Sequence, residues 1–187
     1  MGTNWAAGLL RWKPHTDKEG VAYSLNHLHP FPMTLELAAK GGLPARMVQL
    51  HIAFSLHTFT RSIEETDDPT DRYRDNREVR TFCRDRYRLS TELPTIASEL
   101  PRRPCQFATS KSGRINYVTI DVSQGVRYGV FFDLMRRKEA GPDVILLMVQ
   151  SAYALESGKP DPGKGKISFS ALLGMTLRGK TPKPPPR

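Results

Sequence analysis

Between Cys105 and Leu155 the sequence places four strand-like runs end to end: "CQFATSK", "RINYVTIDV", "VRYGVFFDLM" and "DVILLMVQSAYAL". The links between them are turn chemistry, with Ser112-Gly113, then Ser123-Gln124-Gly125, then "RRKEAGP". Links this short join antiparallel neighbours, because a parallel pair needs a crossover of about a dozen residues or more. The runs are also rich in the β-branched and aromatic residues that suit a pleated surface. The stretch predicts an antiparallel meander over residues 105–153, and the rest of the chain must pack around it.

Two further strands are expected upstream, "FPMTLEL" and "RMVQLHIAFS", separated by the turn-forming "AAKGGLPA". In "LSTELPTIASEL" the apolar residues Leu89, Leu93, Ile96, Ala97 and Leu100 recur at helical spacing. Ser90 or Thr91 would cap that helix, and Pro94 fits only in its first turn. The polar run "IEETDDPTDRYRDNRE" reads as a long loop carrying little core, and "ESGKPDPGKGK" as a second loop. Strands, a helical segment and more strands in this order predict an α+β fold, with a mainly antiparallel sheet and one or two packed helices.

The chain has 187 residues, 39% of them apolar, which suits one well-filled domain. The expected plan is a mobile N-terminal extension over 1–26, a single domain over 27–177 and a basic, proline-rich tail over 178–187. No apolar run approaches the roughly 18 residues that a membrane span requires. The start, "MGTNWAAGLLRWKPHTDKEG", lacks the pattern of a secretion signal. Cys83 and Cys105 have neither metal-ligand spacing nor the numbers for a disulfide framework. A cytoplasmic protein without cofactor or membrane is the expectation. The net charge of +9 favours polyanionic partners, nucleic acid first.

That charge is densest in "DRYRDNREVRTFCRDRYRL". Here Arg72, Arg74, Arg77, Arg80, Arg84 and Arg86 alternate with aromatics, among them Tyr73. Guanidinium groups bind phosphate in a fork, and aromatic faces stack on unpaired bases. Asp71, Asp75, Glu78 and Asp85 are interleaved, so a self-neutralised, solvated surface remains an equally good reading.

The second constellation is "VQLHIAFSLHTFTR". As a strand it puts Val48, Leu50, Ile52 and Phe54 on one face and Gln49, His51, Ala53, Ser55 and His57 on the other. An imidazole at a strand end can move protons near neutral pH. His57 is the first candidate, His51 the alternate, and Arg61 a phosphate clamp. The third is "VQSAYAL", where Ser151 and Tyr153 share a face with Val149 and could hold a phosphate.

A helical segment followed by a four-stranded meander whose last strand ends in hydroxyl-x-Tyr resembles the fold of barnase, colicin tRNases and RelE-type toxins. The resemblance covers about residues 46 to 155, and Ser151 and Tyr153 match the active-site strand of related families. It implies a metal-independent endoribonuclease of toxin type, acting on RNA that is free or on the ribosome and held in check by an acidic protein inhibitor. The whole sequence also resembles uncharacterised bacterial proteins labelled as stationary-phase growth adaptation or heat-shock proteins. The rival reading is a non-catalytic basic module that binds nucleic acid or a partner through its arginines and is indifferent to His57.

Overall fold

A computed structural model describes residues 8–39, 44–109, 115–123 and 125–184. The strands are β1 (His15–Thr16), β2 (Ala22–Tyr23), β3 (Phe31–Leu37), β4 (Arg46–Phe54), β5 (Thr60–Arg61), β6 (Arg72–Arg74) and β7 (Val79–Phe82), then β8 (Cys105–Thr109), β9 (Ile115–Ser123), β10 (Val126–Arg136), β11 (Val144–Ala154) and β12 (Lys164–Ile167). The helices are α1 (Arg84–Ser90), α2 (Leu93–Glu99) and α3 (Phe169–Leu177). The main sheet runs β12-β8-β9-β10-β11-β4-β3. The expected meander from β8 to β11 is present, and every junction is antiparallel except β11–β4. The sheet is therefore mixed within an α+β fold, because β4 enters beside β11 in the same direction.

Alternation along β4 sends Val48, Leu50, Ile52 and Phe54 into the core, where all four are buried. Leu93, Ile96 and Leu100 meet them there in one cluster that also holds Phe132, Leu147, Phe169 and Leu173. Each such side chain contributes about 1.5–3 kcal/mol when fully buried. Val118 and Ile120 lie on the opposite face, in a small cluster with Ala108 and Phe131. Their neighbours Tyr117 and Thr119 take the core side.

Four further expectations are corrected. The helical segment starts at Arg84 rather than Ser90, and it breaks at Thr91-Glu92 before α2 resumes with Pro94 in its first turn. The polar run from Ile63 is not a plain loop: part of it folds into β6, which pairs with β7 in a three-stranded sheet with β5. Where one or two packed helices were expected, "ISFSALLGMTL" supplies a third, capped by Ser168, whose hydroxyl accepts from the Ala171 amide at 3.2 Å.

The N-terminal extension is the fourth. From residue 8 onward the chain is part of the domain, with Trp12, Leu25 and Leu28 in the core. Trp12 packs edge-on against Phe59, and His15 stacks on Phe82 with centroids 4.2 Å apart. His27 reaches the Ser90 hydroxyl at 2.8 Å, and the His29 ring nitrogen donates to the Trp12 carbonyl at 3.1 Å. Both histidines therefore tie this segment down.

Candidate functional site

At Phe54 the β4 strand ends, and Ser55 is the reason the backbone turns. Its hydroxyl accepts from the His57 amide at 3.2 Å and donates to the Gln150 carbonyl of β11 at 2.5 Å. Thr58 and Thr60 donate to the carbonyls of Ser55 and Leu56 and close the turn. Leu56 and Thr58 are buried by this geometry while His57 is pushed outward, so His57 does not continue the row begun by His51.

There His57 Nε2 lies 2.5 Å from Glu78 Oε1, with both side chains about 40% exposed (39% and 40%). Glu78 sits just before β7 in a turn that Asp75 organises by accepting from the Arg77 and Glu78 amides, each at 2.8 Å. Arg80, largely buried, reaches Glu78 Oε2 at 3.5 Å and donates from Nε to Thr60 Oγ1 at 3.0 Å. The pair is thus exposed enough to meet a ligand and held from both sides.

Behind it stands Arg86 of α1. Its Nη1 donates to the carbonyls of His57 and Thr60 at 3.0 and 2.8 Å. The guanidinium lies 5.3 Å from the centroid of the Tyr153 ring, which is itself stacked on Phe131. Burial works against the charge on Arg86 and lowers its pKa. Burial also raises the Tyr153 and Tyr128 phenols, while the positive charge of Arg86 acts in the opposite sense on both. Tyr128 is fully buried, and its hydroxyl has no hydrogen-bond partner among the described residues.

Tyr153 reaches Arg86 because of an irregularity in β11. Phe131 pairs with Ser151 and Phe132 with Val149, so Gln150 is an extra residue in the strand. Val149 and Ala152 both face the core, and Ser151 and Tyr153 face the other way. The expectation that Val149, Ser151 and Tyr153 share a face fails at this bulge. Gly129, opposite Tyr153, is crowded: a Cβ there would come within 2.9 Å of the Leu155 side chain, which would have to shift.

The chain matches the model of the YjaZ family over residues 14–177. It belongs to the YjaZ family. No curated protein and no solved structure matches it. The span that places it in the YjaZ family takes in β1 through α3 and every residue of the His57 group.

The remaining expected site residues divide sharply. His51 pairs in register with Leu146 and Pro32, back along β4 from the site, and burial lowers its pKa. Arg61 is clamped by Asp67 and Glu64. Arg72 bonds Thr81 at 3.1 Å and lies 3.9 Å from Asp67. Arg84 meets Asp17, Glu19 and Asp71, and its hydrogen bonds to Asp17 and Tyr23, with the charge of Asp71, raise its pKa. Tyr73 is buried, with its hydroxyl on the Lys13 carbonyl and its ring edge-on to Phe59, so it has no face left for a base. Arg74 and Arg77 are exposed, and their guanidinium groups have no partner among the described residues.

Sequence reasoning missed Glu78 as a partner for His57, and nothing in their spacing announces it. Among the described residues no group of three or more His, Cys, Asp and Glu side chains has the geometry to hold a metal. Nor is any helix there long and apolar enough to cross a membrane.

Proposed function

We propose that the protein acts on RNA as a metal-independent endoribonuclease whose acid–base pair is His57 and Glu78. The observation that carries this reading is the 2.5 Å contact between two half-exposed titratable groups, with Arg80 and Arg86 beside them. Glu78 takes the proton from a ribose 2′-OH as the 2′-oxygen forms its bond to phosphorus. The bond from phosphorus to the 5′-oxygen breaks, and protonated His57 supplies that oxygen with its proton. The products are a 2′,3′-cyclic phosphate and a 5′-hydroxyl. Glu78 then holds the proton that His57 has lost, and transfer along their own hydrogen bond restores the pair. Arg80 stabilises the charge that builds on phosphorus, and Arg74 and Arg77 attract the flanking phosphates. The partners that go with this reading are RNA, free or on the ribosome, and an acidic inhibitor protein, in the cytoplasm. The resemblance to the barnase and RelE group supports the same chemistry.

Purified protein in excess EDTA is expected to cleave RNA and leave cyclic phosphate ends. His57→Gln and Glu78→Gln should each lower the rate by about 10²- to 10⁴-fold with little change in RNA affinity. If the wild-type protein cleaves no RNA, alone or with ribosomes, the catalytic reading is lost. The second reading is then a non-catalytic RNA-binding module. It is favoured by Arg74 and Arg77, unpaired among the described residues, beside a patch that is otherwise internally neutralised.

A further inference from the structure

A cavity of about 560 Å³ opens between α3 and the outer end of the β3–β4 hairpin. Its walls include Leu37, Pro44, Ala171, Gly174 and Met175. The volume lies within the range of about 300–1,000 Å³ over which proteins enclose small ligands. Two arginines, Arg46 and Arg178, complete the lining. Arg46 is compensated by Asp143 at 3.0 Å. Arg178 is exposed and forms no ion pair or side-chain hydrogen bond among the described residues, which thus give the cavity one uncompensated positive charge.

Gly174 makes this more than a packing gap. It is buried in the second half of α3, where glycine weakens a helix relative to alanine. Crowding does not demand a glycine at this position. A Cβ would meet Arg178 Nη1 at 3.5 Å and Leu37 Cδ2 at 3.9 Å, both ordinary separations. The same distances show the Arg178 guanidinium folded back over this glycine and toward the cavity. A helix that would be better formed with a side chain here instead leaves the space open beneath an unpaired cation.

We propose that this cavity binds a small amphiphilic monoanion, an aliphatic carboxylate whose chain lies against Leu37, Ala171 and Met175 and whose head group pairs with Arg178. The apolar walls account for the chain and the single uncompensated guanidinium for one negative charge. The site shares no residue with the His57 group and stands whether or not the protein cleaves RNA.

Decanoate, below its micelle concentration, is the probe for calorimetric titration of the full chain. Saturable binding of one decanoate per chain is expected, with decanol at least about tenfold weaker because it lacks the charge. Arg178→Gln, at an exposed position, should weaken decanoate by about tenfold or more without moving the thermal midpoint. Gly174→Leu, which fills the space, should abolish binding. Absence of saturable binding to the wild type overturns the proposal, as does an unchanged affinity in Arg178→Gln. Equal affinity for decanol and decanoate overturns the anion assignment. Should Gly174→Leu fail to fold, Arg178→Gln and the decanol comparison decide the matter.

Discussion

Asp17 shows how much of the arginine excess is spent inside the molecule. Its carboxylate accepts from the Glu19 and Val21 amides, from the Tyr23 hydroxyl at 3.0 Å and from Arg84 at 2.9 Å. The bond to Arg84 is the largest influence, and together these hold its pKa near 2. Asp67, bonded by Arg61 and Thr81, also sits well below the usual carboxylate range. A depressed pKa in the folded state gives stability that is present above the unfolded value of about 4 and is lost as pH falls through the folded one. The thermal midpoint is therefore expected to drop as pH falls from about 4 to about 2. Asp17→Asn should flatten that drop in a series of melts across this window. The sequence displays the arginines but not their pairing, since Asp17 and Glu19 lie far from Arg84 along the chain. The histidine at the strand end was readable for its type and position. Its partner Glu78 was not, because the two meet only when the β5-β7-β6 sheet folds back beside the turn.

At the scale of elements, alternation predicts side-chain faces well until a strand gains a residue. Along β4 the pattern holds from Val48 to Phe54, and along β11 from Ile145 to Val149. Gln150 then shifts the phase and turns Tyr153 toward Arg86. No sequence signal marks this residue as extra. At this residue the Ser55 hydroxyl binds the Gln150 carbonyl, just where β4 has run out. Deleting Gln150 would remove the bulge and leave unbroken alternation from Val149, with Ala152 still toward the core and Ser151 and Tyr153 still away from it. The deletion should therefore be tolerated, with a loss of at most about 1.5 kcal/mol, the scale of the one hydrogen bond accepted by the Gln150 carbonyl, as read by urea denaturation. A loss of several kcal/mol would mean that the faces beyond Val149 do not follow from one extra residue. The α1 helix was missed for a related reason: its run of arginines reads as a polar surface, and its few apolar residues, Tyr87 and Leu89, are too sparse to establish a period.

For the whole molecule, net charge overstates the surface that a polyanion meets. Arg61, Arg72 and Arg84 face carboxylates, whereas Arg74 and Arg77 do not among the described residues. Salt titrations of single-stranded RNA binding should show the difference. Arg74→Ala with Arg77→Ala is expected to reduce the log–log slope by about 0.7 for each phosphate no longer neutralised, and Arg84→Ala to leave it nearly unchanged. A slope altered by Arg84→Ala alone would reverse that assignment. The α+β class and the meander were legible because their links are local. The mixed sheet was not, because its one parallel seam joins β4 to β11 across everything folded between them. That seam is in effect the neck of a very long loop, holding both smaller helices, the three-stranded sheet and most of the meander. The entropy of closing a loop grows only with the logarithm of its length, so doubling it costs about 0.6 kcal/mol. Length added to the loops between β5 and β10 would therefore barely loosen the seam, and the chain can vary most where it already carries the His57 group.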